Sequence, residues 1–159
     1  MAAPLCLVLA LAAALAQAAL APAPVPSSWF GTWRLNLARS SYDPGPAPYK
    51  RAEYTIAPWQ DGLKVIYDQV YPRGGWTHLE WLGRIDGRDY PVHGLDEFVT
   101  YAYRPLADGS YEVVVKFDGR VTATSHVSLS PDGRTMTTKT TGRGAQGQEV
   151  RTMTVYEKQ

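Results

Sequence analysis

Cysteine is almost missing from this sequence. The one cysteine among 159 residues is Cys6, which lies in the apolar leader described below. An internal disulfide, a thiolate nucleophile and a cysteine-based metal site are therefore excluded from the rest of the chain. The domain must be stabilised by core packing alone. A domain of about 140 residues buries roughly two-thirds of the surface that its unfolded chain exposes. That burial is sufficient to stabilise the fold without disulfides.

An excess of charge of either sign is also lacking. Sixteen Lys and Arg residues stand against fifteen Asp and Glu residues, which gives a net charge of +1. The basic residues are scattered singly, so no cluster could release counterions from a nucleic acid or attach to an anionic membrane surface. The sequence predicts no nucleic-acid partner and, once the leader is removed, no membrane partner. It leaves the oligomeric state open.

Motifs for metal or cofactor chemistry are missing too. The three histidines, His78, His93 and His126, have no metal-ligand spacing, and no phosphate loop or serine elbow is present. No metal site and no cofactor is therefore implied. His78 and Glu80, two apart on one face of a predicted strand, are the one acid–base pair that spacing places together. The alternative is that both lie on a solvated sheet face.

The start of the chain predicts export. Residues 5–20 are almost entirely Leu, Ala and Val, and they contain a small-x-small cleavage site that ends at Ala18. We interpret residues 1–18 as a signal peptide, which makes Ala19 the mature N-terminus and the protein secreted or periplasmic. An uncleaved anchor is the alternative, because the apolar run is long enough to span a bilayer. Residues 19–28, rich in Pro and Ala, predict a stiff tether ahead of a domain over 29–159.

No stretch shows a sustained helical period with caps, and only 37–42 suits a short helix or irregular turn. Instead, segments of five to ten alternating residues end at glycine-centred turns, many of them Asp-Gly pairs typical of hairpins. The predicted strands are 29–36, 51–58, 63–71, 76–84, 88–92, 97–104, 111–117, 120–129, 134–141 and 148–157. Such a series closes into a barrel more readily than it leaves two bare edges. The predicted fold is all-β, an antiparallel up-and-down β-barrel of eight to ten strands, with the proline-rich segment 37–50 crossing one end.

Aromatic side chains are the candidate ligand contacts. Tyrosine (10) and tryptophan (5) outnumber phenylalanine (3), and each of these larger rings combines an apolar body with a polar group. Two strands, 76–84 and 97–104, carry rings on both faces, so their inner face stays unassigned. The rings predicted to line a cavity are Tyr54, Tyr67, Trp76, Trp81, Tyr101, Tyr103 and Tyr111. The alternative is that they simply fill the barrel.

Phe30-Gly31-Thr32-Trp33 resembles the Gly-x-Trp opening of the lipocalin superfamily. The resemblance implies a lipocalin- or calycin-like barrel in which Trp33 plugs the closed end. It also implies an arginine from a late strand stacked on that Trp. Arg151 is the candidate, with Arg34 and Arg134 as alternatives.

A longer resemblance covers nearly all of the chain after the leader. It rests on GTWRLN at 31–36, PGPAP at 44–48, DGRTMT at 132–137 and VYEKQ at 155–159. These pieces resemble those of small exported bacterial proteins of lipocalin-like type. The resemblance implies the fold and the compartment, and it implies no substrate and no catalytic residue.

Three functions are consistent with these observations. The leading hypothesis is an exported lipocalin-like protein that binds a small hydrophobic or aromatic molecule inside the barrel. The second is an enzyme on the same scaffold, an isomerase, lyase or hydrolase that uses His78 and Glu80. The third is a cell-envelope module with a packed core, in which exposed Trp76, Trp81 or Tyr103 meets a protein or glycan. The sequence favours binding over catalysis and leaves catalysis undecided.

Overall fold

Eleven antiparallel strands form one sheet in the computed structural model, which describes residues 24–144 and 146–159. The predicted signal peptide, 1–18, lies outside the described residues. Two 3₁₀ turns, Ser27–Trp29 and Leu37–Arg39, flank the first strand. The strands are β1 (Gly31–Leu35), β2 (Ser41–Asp43), β3 (Arg51–Trp59), β4 (Gly62–Val70), β5 (Trp76–Gly83), β6 (Tyr90–His93), β7 (Val99–Pro105), β8 (Tyr111–Phe117), β9 (Arg120–Leu129), β10 (Thr135–Arg143) and β11 (Glu149–Lys158).

The sheet closes on itself. Strands β3 to β11 pair in sequence order, and β1 lies between β3 and β11, where Trp33 pairs with Lys158 and Leu35 with Tyr156. At this position the sheet has no bare edge, because β1 is paired with β3 on one side and with β11 on the other. The predicted all-β antiparallel barrel is confirmed.

The first barrel position is shared by two short strands. β2 pairs with the earlier part of β11, where Tyr42 lies opposite Thr152, while β1 pairs with the last residues of the same strand. Between them the chain makes one 3₁₀ turn, in which the Asn36 side chain accepts a hydrogen bond from the Arg39 backbone N–H at 3.2 Å. Counting β1 and β2 as one position gives a ten-strand barrel.

Hairpin connections alternate between two ends of the barrel. The plugged end holds the Ser27–Trp29 turn, the start of β1 and the end of β11. The far end holds segment 44–50 and the β4–β5 turn at 71–75. The last residues of the predicted tether contact the plugged end, since Val25 packs against the core and the Ser28 carbonyl accepts a hydrogen bond from Lys158 Nζ at 2.8 Å.

Trp33 closes the plugged end. Its side chain is 0% exposed, and its Nε1 donates a hydrogen bond to the Trp29 carbonyl at 3.0 Å. Gly31 has a φ of 124°, which side-chain-bearing residues rarely adopt, and a Cβ there would lie 3.1 Å from Lys158 Cε. The glycine of the Gly-x-Trp element therefore leaves room for the Lys158 side chain beside the tryptophan.

The cation on Trp33 is a lysine, and the prediction of Arg151 is wrong. Lys158 Nζ lies 5.1 Å from the Trp33 ring centroid. Arg151 sits seven residues earlier on β11, roughly 23 Å away at about 3.3 Å per residue, and it pairs with Glu149 at 2.9 Å in an exposed position. Arg34 is excluded as well, because it points outward and pairs with Glu53 at 3.4 Å.

Charged side chains lie on the outer face of the barrel. Pairs across neighbouring strands include Lys64 with Glu80 and Arg104 with Glu112, and Lys116 on β8 pairs with Asp89 in the loop before β6. Such partly exposed pairs each contribute about 0–1 kcal/mol, so they mark the solvated face more than they stabilise it. Among the described residues, no helix has the length and apolar character needed to cross a membrane.

We expect the plug to contribute stability rather than binding. Trp33→Phe should lower the free energy of unfolding by roughly 1–3 kcal/mol, because it removes a buried ring portion and orphans the Trp29 carbonyl. Urea unfolding at pH 7 measures this. The control is Trp76→Phe, at a side chain that is 70% exposed, where the change should stay within about 0.5 kcal/mol. Lost ligand affinity in a Trp33→Phe protein of unchanged stability would contradict a structural role.

A tyrosine-lined cavity as the candidate binding site

The barrel encloses a cavity of about 320 Å³ between Trp29 at the plugged end and Pro48 at the far end. Its lining divides into a tyrosine set, a hydroxyl set of smaller side chains, and aliphatic residues between them. Eight of the ten tyrosines line it: Tyr42, Tyr49, Tyr54, Tyr67, Tyr101, Tyr103, Tyr111 and Tyr156. The smaller hydroxyls are Ser125, Thr138, Thr140, Thr152 and Thr154.

The tyrosine rings form a connected cluster. Tyr54 stacks on Tyr156 with ring centroids 4.5 Å apart and meets Tyr67 edge-on at 4.7 Å. The Tyr67 and Tyr103 hydroxyls lie 2.6 Å apart and share one hydrogen bond. A shared bond uses one of the two phenol protons, so the pair keeps a donor for a third group.

Burial sets the protonation of these phenols. Desolvation raises the pKa of Tyr54 and Tyr67 well above the usual value, and the neighbouring phenols raise both further. It raises the pKa of Tyr101 to about 12 and also raises that of Tyr103. The cluster is therefore neutral at physiological pH, and its hydroxyls both donate and accept hydrogen bonds.

The wall formed by β9, β10 and β11 carries the smaller hydroxyls. Ser125 Oγ and Thr140 Oγ1 lie 2.7 Å apart across the β9–β10 ladder. Thr138 and Thr140 share the inner face of β10, as Thr152 and Thr154 do on β11, because alternate strand residues face the same side. One side of the cavity is thus mainly aromatic and the other is mainly aliphatic hydroxyl.

Segment 44–50 covers part of the far end, where Pro48 and Tyr49 join the lining. The Tyr49 ring lies 5.5 Å from Tyr71 of the β4–β5 turn. Lys50 anchors the end of the segment, since its backbone N–H donates to the Val70 carbonyl at 2.8 Å. Of the segment 37–50 that was predicted to cross one end of the barrel, 44–50 lies there, whereas Ser41–Asp43 form strand β2 in the barrel wall.

Five of the seven rings predicted to line the cavity do so, and two do not. Tyr54, Tyr67, Tyr101, Tyr103 and Tyr111 are in the lining. Trp76 is 70% exposed on the outer face of β5, beside the outward residue Val70. Trp81 points inward but is 0% exposed, packed 4.4 Å from Tyr103 with its Nε1 donating to the Tyr101 carbonyl at 3.2 Å. The prediction for Trp76 is wrong because both faces of its strand carry rings, so the pattern does not identify the inner face. Trp81 is part of the packed core.

The predicted acid–base pair is wrong as a cavity site. His78 and Glu80 lie on the outer face of β5, since the inward positions are Leu79 and Trp81. His78 Nδ1 contacts Asp68 Oδ1 at 2.7 Å, and Glu80 pairs with Lys64. Their partners are different residues, and neither side chain faces the cavity, so the enzyme hypothesis that used them is overturned.

A second histidine contact resembles a catalytic triad only in composition. Ser110 Oγ lies 2.8 Å from His126 Nε2 and also bonds Asp108. Asp108 approaches the same Nε2, at 3.8 Å, whereas a triad aspartate binds the opposite ring nitrogen. Ser110 is also only 4% exposed. The group therefore holds the Asp108–Gly109 turn against β9. Over 24–144 and 146–159, no three His, Cys, Asp or Glu side chains form a cluster able to hold a metal.

The predicted ring set lacks eight of the thirteen hydroxyl-bearing residues that line the cavity. Tyr42 comes from the short strand β2, and Tyr156 lies opposite Leu35 in the closing ladder. The threonines of β10 gave no signal because Thr occupies both faces of that strand, at 137 and 141 as well as at 138 and 140. For Tyr156 the sequence did contain a signal, because Tyr156 shares one face of its strand with Thr152 and Thr154.

No family model matches this chain, and no curated protein matches it significantly. Among solved structures, zebrafish ileal bile acid-binding protein complexed with cholic acid aligns with 84% of this chain and 100% of that chain. The TM-score is 0.49 and the sequence identity is 13%. A likeness of this size says nothing about what this chain binds.

We expect the buried phenols to make the protein sensitive to alkali. The raised pKa of Tyr101, about 12 against about 10 in an unfolded chain, means that the folded state keeps a proton that the unfolded state loses. Its contribution to stability is complete below pH 10 and is lost as pH rises towards 12. Each such phenol lowers the free energy of unfolding by about 1.4 kcal/mol per pH unit in that window. Urea unfolding at pH 8 to 11.5 measures the slope, and Tyr101→Phe should make it shallower; an unchanged slope would contradict burial of that phenol.

Proposed function

We propose that this protein binds one small, largely apolar molecule inside the barrel. The observation that carries the proposal is the unfilled interior: about 320 Å³ of space remains inside a lining that includes eight tyrosines. That volume lies at the lower end of the range of roughly 300–1,000 Å³ typical of ligand pockets. It suits a molecule of two or three rings.

The chemistry of the lining also favours binding of an apolar ligand. Aliphatic side chains such as Leu63, Val65 and Val113 lie between the rings, so most of the wall is apolar. Moving apolar ligand surface from water into such a site gains about 25 cal/mol per Å². Tyrosine rings add contact at a low cost in conformational entropy because each has few rotatable bonds. The ring-rich inner faces thus favour an aromatic or alicyclic ligand.

The interaction-module hypothesis has less support. Of the three rings that were alternative surface contacts, Trp81 and Tyr103 point inward and Trp76 is exposed. Exposed rings scattered over a protein surface are common and indicate no partner by themselves.

Filling the cavity should abolish binding. N-phenyl-1-naphthylamine, an uncharged probe that fluoresces in apolar sites, should bind the natural protein with a saturable increase in emission. Thr138→Trp places a large ring on the inner face of β10 and should reduce the affinity at least tenfold. The matched control is Thr141→Trp on the same strand, which is exposed and faces outward. Circular dichroism confirms folding of both variants. Failure of the natural protein to bind, or equal loss in both variants, would overturn the proposal.

We also propose that the protein is exported and acts in the periplasm or outside the cell. The apolar run at 5–20 and the small residues Ala16 and Ala18 support this. Expression of the full chain in a bacterial host, followed by N-terminal sequencing of the extracytoplasmic fraction, should give Ala19 as the first residue. Intact chain in the cytoplasm would contradict export, and intact chain in the membrane fraction would support an uncleaved anchor.

A further inference from the structure

The outer wall of the barrel carries a second concave site. It is an open groove of about 310 Å³ that runs across β3, β4 and β5 near the far end. Arg51 and Glu53 of β3 line one side of the groove, and Trp76 of β5 lines the other. Asp68 and Val70 of β4 lie between them, because β4 is the strand between β3 and β5.

Strand register arranges these side chains in two rows. Val70 is opposite Arg51 on one side and opposite Trp76 on the other. In the next row, Asp68 is opposite Glu53. All five point outward, because they alternate with the inward positions of their strands. The strands that carry Trp76 and Arg51 are two strand spacings apart, about 10 Å, which leaves room above β4 for one ring of a ligand.

Trp76 gives the groove an apolar wall. It is the most exposed large hydrophobic residue of the described chain, and Val70 beside it is the other apolar side chain in the lining. A tryptophan ring offers at most about 250 Å² of contact, whereas a stable protein interface buries roughly 800 Å² on each partner. The apolar part of the groove therefore suits one small ligand unit better than a folded protein.

The polar groups of the groove keep unused bonding capacity. Asp68 Oδ1 contacts His78 Nδ1 at 2.7 Å, and Glu53 Oε2 contacts the Arg34 guanidinium at 3.4 Å. Each contact uses one oxygen of its carboxylate, so the second oxygen can accept a hydrogen bond from a ligand. Arg51 is exposed and makes no ion pair with any described residue, so its N–H groups can donate.

The charges around the groove balance. Arg34 and Arg51 stand against Glu53 and Asp68, so the four formal charges sum to zero. Acceptors and a donor beside an aromatic ring match a ligand whose hydroxyls both donate and accept hydrogen bonds. A pyranose sugar has such hydroxyls around its edge, and it has apolar C–H groups on its faces that can pack against an indole ring.

We propose that this groove binds one sugar unit of a neutral glycan. The Trp76 ring packs on a C–H face of the sugar, and the second oxygens of Asp68 and Glu53 accept hydrogen bonds from its hydroxyls. Arg51 donates to a further hydroxyl. The groove lies outside the barrel, so its occupation does not depend on the ligand proposed for the cavity.

Binding is tested with cellobiose and N,N′-diacetylchitobiose. Their β-linked rings carry equatorial substituents, which leave C–H groups on both faces. Heteronuclear NMR of the isotope-labelled natural protein should show saturable shifts for at least one sugar. The shifts should affect the Trp76 indole N–H and the backbone of 51–53, 68–70 and 76–78, and should leave Thr138 and Thr140 of the cavity unchanged. No saturable shift with either sugar, or shifts confined to the cavity, would overturn the proposal.

The aromatic wall is tested by Trp76→Ala. Loss of the ring should weaken binding of the sugar at least tenfold, as for other tryptophans at the centre of a contact, and Trp76→Tyr should lose less because it keeps a ring. The matched control is Trp59→Ala, a partly exposed tryptophan at the end of β3 that does not line the groove, where affinity should change less than about twofold. Circular dichroism confirms folding of each variant. Equal loss at both positions would contradict the role of Trp76.

The donor is tested by Arg51→Met, which keeps much of the side-chain length and removes the N–H groups. Affinity for the sugar should fall roughly three- to tenfold, the worth of one hydrogen bond. Arg120→Met is the control, at an exposed arginine of β9 outside the groove, and should have no effect. Unchanged affinity in Arg51→Met would overturn the assignment of this donor.

A cation is the rival ligand for a tryptophan beside two carboxylates. Tetramethylammonium is therefore titrated under the same conditions and followed by the same NMR signals. The sugar should bind the groove more tightly than this cation. The reverse order of affinity would overturn the assignment of the groove to a glycan.

Discussion

The ladder between β1 and β11 is the contact on which the rest of the molecule depends. It is short, with Trp33 opposite Lys158 and Leu35 opposite Tyr156, yet it joins the first and last strands of the barrel. Side chains at the same place strengthen it: Lys158 covers the Trp33 ring, and Asn36 Nδ2 donates to Glu157 at 2.9 Å. Without this ladder the sheet would have two open edges, and the space inside would be a groove open to water.

Closure combined with the two-residue period of strands sorts the side chains by chemistry. In β3 to β8 one set of positions carries the charges that pair in solvent, and the alternate set carries Tyr and aliphatic residues. In β10 and β11 the inner set is mainly threonine, with Met136 and Tyr156 towards the plugged end. The interior is therefore neutral, with an aromatic side and a hydroxyl side. A ligand site of this kind differs from one built around a buried cation, because selection depends on shape and on hydrogen-bond donors.

The sequence-based predictions are wrong where either face of a strand could be the inner one, and where the contacting residues are far apart in the sequence. On β5, rings at Trp76 and Trp81 sit on opposite faces, so pattern alone could not tell that His78 points to solvent. Arg151 has the expected chemistry for the plug but lies at the wrong end of its strand. Tyr42 and Thr152 are 110 residues apart and meet only because β2 extends the barrel position that β1 begins. Local pattern contains no information about such pairings.

The strand series, the turns, the all-β class and the identity of most lining tyrosines follow from the sequence by itself, because alternation and Asp-Gly turns are local properties. The sequence also determines that no disulfide supports the domain, since Cys6 stands alone. Tertiary structure decided which cation covers Trp33 and which face of β5 is interior. Those properties depend on register around a closed ring, and register is set by all ten strand positions together rather than by any one segment.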